Sequence, residues 1–272
     1  MFAKAIFTLT LAVFATAFPA KRAPAQVVTK CTVPNTAALT FDDGPYVYLY
    51  DVSKALIAAG AKGTFFFNGN NFGCIYTEDN AKRVKYAHDK GHQVASHTWS
   101  HAHLNTLNWD QLHDEFWRVE QALQRITGVI PAFARPPYGE YNDLVVEVAR
   151  VRGQTLANWD FDSGDSSGKT TAQIMQAYDG IALARPSTIL ALNHDVYRKH
   201  SPFPPPPLFL TQVPITNEHR ANIEQTAQVI VPHAIATLQR AGYKLVTLAE
   251  CLGMPAYQYV GPPAVRDASW TC

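Results

Sequence analysis

At 272 residues and 30.1 kDa, the chain is long enough to bury one large core, as a single barrel or an open α/β sheet, or else to form two small domains. A formal net charge of +1 and a sequence pI near 7.7 give no electrostatic basis for binding nucleic acid or an anionic membrane surface. A hydrophobic fraction of 47% excludes a disordered chain.

Met1 to Ala20 read as a secretory signal: Lys4 opens it, Ala5 to Phe14 is apolar, and Ala15-Thr16-Ala17 offers a small-x-small cleavage site. The apolar run is too short to span a membrane. Residues 21–36 form an N-terminal segment that begins with the dibasic pair Lys21-Arg22, a further processing site. No other stretch reads as a membrane span, and the C-terminal residues lack the apolar tail of a lipid-anchor signal. The expectation is a secreted protein, extracellular or in the cell wall, and monomeric. Secretion makes Cys31, Cys74, Cys251 and Cys272 candidates for two disulfides, with three connectivities open. Cys31 before the first core strand and Cys251 after the last would tie the domain ends together, which leaves Cys74 for Cys272.

Ala37 to Phe41 is a short apolar run after a Pro-Asn turn, expected as a buried strand that Gly44-Pro45 stops. A helix follows over Tyr50 to Ala59 with Gly60 as its cap, then a strand over Gly63 to Phe67 that enters the loop Asn68-Gly69-Asn70-Asn71. Asp79 to Lys90 is expected as a polar helix and Gln93 to Ser96 as a strand. Trp109 to Thr127 is the clearest helix, with Leu112, Phe116, Val119, Leu123 and Ile126 along one stripe and Gly128 at its end. Next come a strand over Pro131 to Ala134, a helix over Asn142 to Arg152, a strand over Gln154 to Trp159 and an acidic loop from Asp160 to Asp165. Thr171 to Ala184 is a helix and Ser187 to Leu192 a strand. Gln225 to Ala241 is a last helix, broken or kinked at Pro232, and Tyr243 to Leu248 a last strand. This alternation predicts a parallel α/β barrel over residues 37–253 in a single domain, with residues 254–272 as a tail.

Polar residues recur at the ends of those strands: Asp42 and Asp43, His97 and His101, Arg135, Asp162 and Asp165, then His194. In a parallel barrel such ends gather on one face, where active sites are built. Two adjacent carboxylates at a buried strand end are costly unless a cation or a shared proton relieves them. His97-x-x-x-His101 would set two imidazoles on one side of a helical turn, able to grip one metal ion, with His103 as a rival ligand. A carboxylate from the Asp pair would complete a two-His-one-Asp site that suits zinc, with other divalent ions open. The remaining Asp could deprotonate a water and His194 could protonate a leaving group. Arg135 could orient the free Asp, and an acid of the 160–165 loop could orient His194. Each residue singly has an ordinary structural reading; their recurrence at five strand ends does not.

Thr40-Phe41-Asp42-Asp43-Gly44-Pro45, Ser96-His97-Thr98 with His101, Arg135 with Pro137-Tyr138, Asp162 with Asp165, and Leu192 with His194 together resemble carbohydrate esterase family four, the metal-dependent polysaccharide deacetylases. The likeness runs from about Cys31 to Cys251 and is greatest to the secreted fungal chitin deacetylases, whose Asn-Gly-Asn-Asn loop and Glu-Cys-Leu-Gly ending also recur here, the latter ending at Gly253. The resemblance implies a distorted (β/α) barrel. It implies Asp42 as general base, Asp43, His97 and His101 as metal ligands, and Arg135 as the orienting partner of Asp42. His194 would be the general acid oriented by Asp165, and the Tyr138 backbone amide an oxyanion donor. It implies a divalent cofactor, zinc or else cobalt, and chitin or chitooligosaccharide as substrate, losing N-acetyl groups as acetate.

Two departures stand out. Ser166 occupies a place where the family carries an aromatic residue, which opens one wall of the expected groove. Residues 198–223, rich in proline, interrupt the run from His194 into the last helix. They are either a retained intron or a loop at the groove mouth; a mature transcript that always carries them would end the intron reading. Acetylxylan esterase, peptidoglycan deacetylase and an inactive chitin-binding protein are the alternative functions.

Overall fold

The computed structural model describes residues 26–194 and 226–272. The expected secretory signal, the start of the N-terminal segment and the stretch 198–223 lie outside the described residues. Strands and helices alternate as β1 (Val27–Val28), β2 (Thr36–Asp42), α1 (Leu49–Ala58), β3 (Thr64–Phe67), α2 (Glu78–Asp89), β4 (Gln93–Ser96), α3 (Trp109–Thr127), β5 (Val129–Pro131) and β6 (Phe133–Ala134). They continue as α4 (Asp143–Val151), β7 (Thr155–Ala157), β8 (Phe161–Asp162), α5 (Thr171–Ala184), β9 (Thr188–His194), α6 (Val231–Arg240), β10 (Lys244–Leu245), α7 (Leu248–Leu252) and β11 (Tyr257–Val260). One parallel sheet runs in the order β1-β7-β6-β4-β3-β2-β9-β8, with β10 beside the start of β2. It curls into a distorted (β/α) barrel that stays open between β1 and β8, a single domain as expected.

Period-two alternation along the strands sorts side chains to the two faces of the sheet. Ala37, Leu39, Phe41, Phe65, Phe67, Val94, Ile189 and Ala191 pack outward in a core shared with α1, α2, α3, α5 and α6. Ala38, Phe66, Ala95, Phe133, Ala157 and Leu190 fill the inside instead. Two residues farther along these inward rows stand Thr40 and then Asp42, Asn68, His97, Arg135, Trp159 and Leu192, and His194 follows Leu192. The alternation that builds the core therefore delivers the polar groups to the barrel mouth. At the other end α7 closes the interior with Leu248, Ala249 and Leu252, and a Cys31–Cys251 disulfide anchors it. A second disulfide joins Cys74 to Cys272.

Local signals explain the helix ends. The α3 stripe of Leu112, Phe116, Val119, Leu123 and Ile126 is buried, and each such side chain contributes about 1.5–3 kcal/mol. Asn108 and Gln111 form its capping box, and Gly128 ends it at φ 83°.

Several boundaries differ from the expectations. The strand expected over Pro131 to Ala134 is two pieces, β5 paired antiparallel with β11 and β6 in the main sheet. Pro131 offers no N–H with which to continue a ladder. The strand expected from Tyr243 stops at Leu245, because Thr247 and Glu250 form a capping box that starts α7. The acidic loop contains β8, and the supposed tail supplies β11. In place of one kinked helix over Gln225 to Ala241, a π-helical turn, Thr226–Ile230, leads into α6, whose first turn takes Pro232, where a missing N–H costs nothing.

Candidate active site

Asp42 ends β2, and Asp43 follows it with φ 73°. That left-handed conformation is uncommon for a residue with a side chain, and it turns two adjacent carboxylates to different partners. The Asp42 Oδ1 accepts a hydrogen bond from Arg135 Nη1 at 2.8 Å. The Asp43 Oδ1 faces His101 Nε2 at 3.2 Å and His97 Nε2 at 3.5 Å.

His97 and His101 do not share a helical turn, contrary to the spacing argument. Residues 97–103 are loop, and Thr98 and His101 hold φ values of 66° and 59°. The two imidazoles converge because these two residues are left-handed. His103 is not with them: its ring stacks on Tyr138 at 4.1 Å, and its Nδ1 lies 3.0 Å from Glu140 Oε2.

His97 Nδ1 lies 2.8 Å from the Arg135 carbonyl oxygen. A carbonyl can only accept, so Nδ1 carries a proton and Nε2 is the ring nitrogen turned to Asp43. The buried Asp43 Oδ1 has no hydrogen-bond partner. Burial works to raise the Asp43 carboxyl, but the two imidazoles beside it hold it well below the usual carboxylate range. One ligand atom from each of Asp43, His97 and His101 lies within 4.8 Å of the others. Two imidazole nitrogens gathered around a buried carboxylate oxygen are a set of ligand atoms that one divalent cation can take, so this donor set fits the metal that the resemblance implies.

Arg135 is completely buried. Besides Asp42, its guanidinium donates to Thr40 Oγ1 at 2.5 Å, the Ala157 carbonyl at 2.9 Å and the Asn158 carbonyl at 3.0 Å. It lies over the Phe66 ring at 4.2 Å. Burial disfavours its charge while Asp42 favours it. Across the mouth, both the backbone N–H and the Nδ1 of His194 lie 2.7 Å from Asp165 oxygens. Burial alone would lower the His194 imidazole, but the Asp165 carboxylate, with Asp43 and Asp42 beyond, pushes it up to about 10.

Asp42, His97, His101 and His194 line a cavity of about 220 Å³, with Tyr138, Trp159 and Ser166 also on its walls. Tyr138, at φ 60°, forms the turn Pro137–Gly139 and presses its ring edge-on to His101 at 4.7 Å. A larger cavity, about 310 Å³, opens at the opposite end of the strands around Gln93 and Tyr257 and contains none of these groups.

Sequence reasoning missed the residues that hold the His97–His101 loop. Buried Asn68 donates from Nδ2 to the His97 and Thr98 carbonyls at 2.5 and 3.0 Å, and its backbone N–H donates to Gly44 O at 2.9 Å. It thereby ties the Asp43 turn to the histidine loop. The inward row of β3 was the signal that could have found it, since Asn68 follows Phe66 by two.

The polysaccharide deacetylase family profile matches residues 29–157. A chitin deacetylase of a Pestalotiopsis species is 34% identical over 254 residues, covering 91% of this chain and 76% of that protein. A probable peptidoglycan-N-acetylglucosamine deacetylase of Arthroderma benhamiae is 32% identical over 235 residues, 85% of this chain but 47% of that longer protein. The structure of the chitin deacetylase from the fungal pathogen Colletotrichum lindemuthianum superposes with a TM-score of 0.72 at 25% identity, covering 90% of this chain and 98% of the other.

Proposed function

Because the chain belongs to the polysaccharide deacetylase family, we propose that it hydrolyses the N-acetyl groups of N-acetylglucosamine units in chitin or chitooligosaccharides, leaving free amines and acetate. One observation carries the reading: of two adjacent carboxylates, Asp42 is paired with buried Arg135, while Asp43 has an orphaned oxygen between two imidazoles. Nothing in a purely structural turn requires that division.

Asp43, His97 and His101 would hold a divalent cation, zinc or else cobalt, which when bound lowers the pKa of a water and polarises the amide carbonyl. Asp42 takes the proton of the attacking water, and Arg135, 2.8 Å away, aims that carboxylate. The Tyr138 backbone amide would donate to the developing oxyanion. His194, kept protonated by Asp165, gives its proton to the amide nitrogen as the C–N bond breaks. Tyr138 and Trp159 wall the cavity where a sugar would sit, and Ser166 leaves one wall open to a long polymer. Two disulfides fit a secreted enzyme, extracellular or in the cell wall, and we place it there as a monomer.

Acetate release from chitin oligosaccharides, peptidoglycan and acetylxylan, with chelator and with zinc or cobalt restored, tests the proposal. The expected result is release from chitin oligosaccharides that chelator stops and metal restores. Release from peptidoglycan or acetylxylan alone would overturn the substrate. Silence on all three, with chitin still bound, would make this a binding protein.

A further inference from the structure

We infer that Glu115 of α3 is a positioning residue for the metal-ligand loop, acting through Ser100 on His101; the inference rests on the metal site proposed above. The loop from His97 to His101 contains two left-handed residues, Thr98 and His101, and such residues persist only where their surroundings over-determine them. The near end is secured from β3 and the loop that follows it. The His97 N–H donates to the Phe67 carbonyl at 2.9 Å, and the Thr98 and Trp99 carbonyls accept from the Gly69 and Asn70 amides at 3.3 and 2.7 Å.

The far end is secured from α3. The Ser100 amide donates to Glu115 Oε2 at 2.9 Å and its hydroxyl to Oε1 at 2.5 Å. Glu115 is 8% exposed, and both oxygens are taken by one residue immediately before a metal ligand. Three residues along the helix, the Arg118 guanidinium lies 3.8 Å from the Trp99 ring centre. The helix thus grips Trp99 and Ser100 together, and the rigid, buried stripe of α3 sets where His101 begins. A carboxylate suits this task because it accepts twice. A glutamine would accept from one donor and turn its own N–H₂ against the other. Groups behind the ligands govern metal affinity even though they never touch the ion.

The test compares zinc affinity, by competition with a chromophoric chelator, and the cobalt absorption spectrum of the full chain, its Glu115→Gln variant, Ser100→Ala and the double variant. Far-UV circular dichroism and the melting temperature of the metal-free proteins monitor folding. Glu115→Gln is expected to weaken zinc by about tenfold or more and shift the cobalt bands while the metal-free fold is kept. Ser100→Ala should lose less in the same direction, and the double variant no more than Glu115→Gln alone. Unchanged zinc affinity and cobalt bands in Glu115→Gln, or additive losses in the double variant, would overturn the inference. If Glu115→Gln does not fold, Ser100→Ala decides: wild-type affinity and bands there would overturn it. Wild-type protein that binds neither ion would overturn the metal-site reading itself.

Discussion

Asp42 and His194 are register partners, the closing residues of the adjacent parallel strands β2 and β9. In-register residues of neighbouring strands point to the same face, so the proposed base and acid share the inward side of the sheet. Their second partners come from opposite directions, Arg135 from beyond β6 and Asp165 from the loop after β8. The two closing residues of one strand pair thus take partners of opposite kind: a carboxylate beside a guanidinium, and an imidazole beside a carboxylate.

The Asp165–His194 pair sets a pH dependence. The folded pKa of His194, about 10, lies above its ordinary 6.5, so the imidazole stays protonated through neutral pH and the alkaline limb of kcat lies well above 7. Asp165→Asn removes the ionic partner, and that limb should move to lower pH. The same raised pKa makes stability fully present below about pH 6.5 and lost as pH rises through about 10. Melting temperatures of the chelated protein from pH 6 to pH 10 should therefore fall more steeply for wild type than for Asp165→Asn. Identical pH profiles for the two proteins would contradict the pairing.

Arg135 combines a fold role with a site role. Arg135→Ala leaves Asp42 buried without its cation and two carbonyls without donors, and should cost about 3–5 kcal/mol in chemical denaturation. Adding Asp42→Asn should recover part of the loss, since the amide is cheaper to leave unpaired. Arg135→Lys should fall between, because an ammonium cannot span Thr40, Asp42, Ala157 and Asn158 together.

Gly69 is required for a close approach. A Cβ built there would lie 1.9 Å from the Trp99 ring, and Trp99 belongs to the histidine loop. Gly69→Ala should destabilise by about 1–3 kcal/mol and weaken zinc binding as Trp99 is displaced. Denaturation and chelator competition together check it; retention of both wild-type values would show that the ring has room to move.

Much of this was legible in the chain. Apolar runs, Gly and Pro stops, and capping residues marked the β/α alternation, and the period-two rows carried Asp42, His97, Arg135 and His194 inward. The convergence of His97 with His101 was legible only as a spacing, and the geometry inferred from it was wrong. Nothing local announces that Thr98 and His101 are left-handed, because neither is Gly or Asn. The hydrogen bonds that hold this loop come from Asn68 to Thr98 and from Ser100 to Glu115, 30 residues before Thr98 and 15 residues after Ser100. The start of α7 did have a signal, since Thr247 and Glu250 have capping-box spacing. The pairing of β11 with β5 had none, because a short edge pairing depends on where the C-terminal chain passes.

The most direct test of the account is zinc content and acetate release measured side by side for wild type, Asp42→Asn and Asp43→Asn, with chitin oligosaccharide as substrate. Asp42→Asn should bind zinc as wild type does and lose about 10²–10⁴-fold in acetate release, whereas Asp43→Asn should lose the ion and the activity together. Acetate release by Asp42→Asn at the wild-type rate, or full zinc retention by Asp43→Asn, would contradict the division of the two carboxylates on which the account rests.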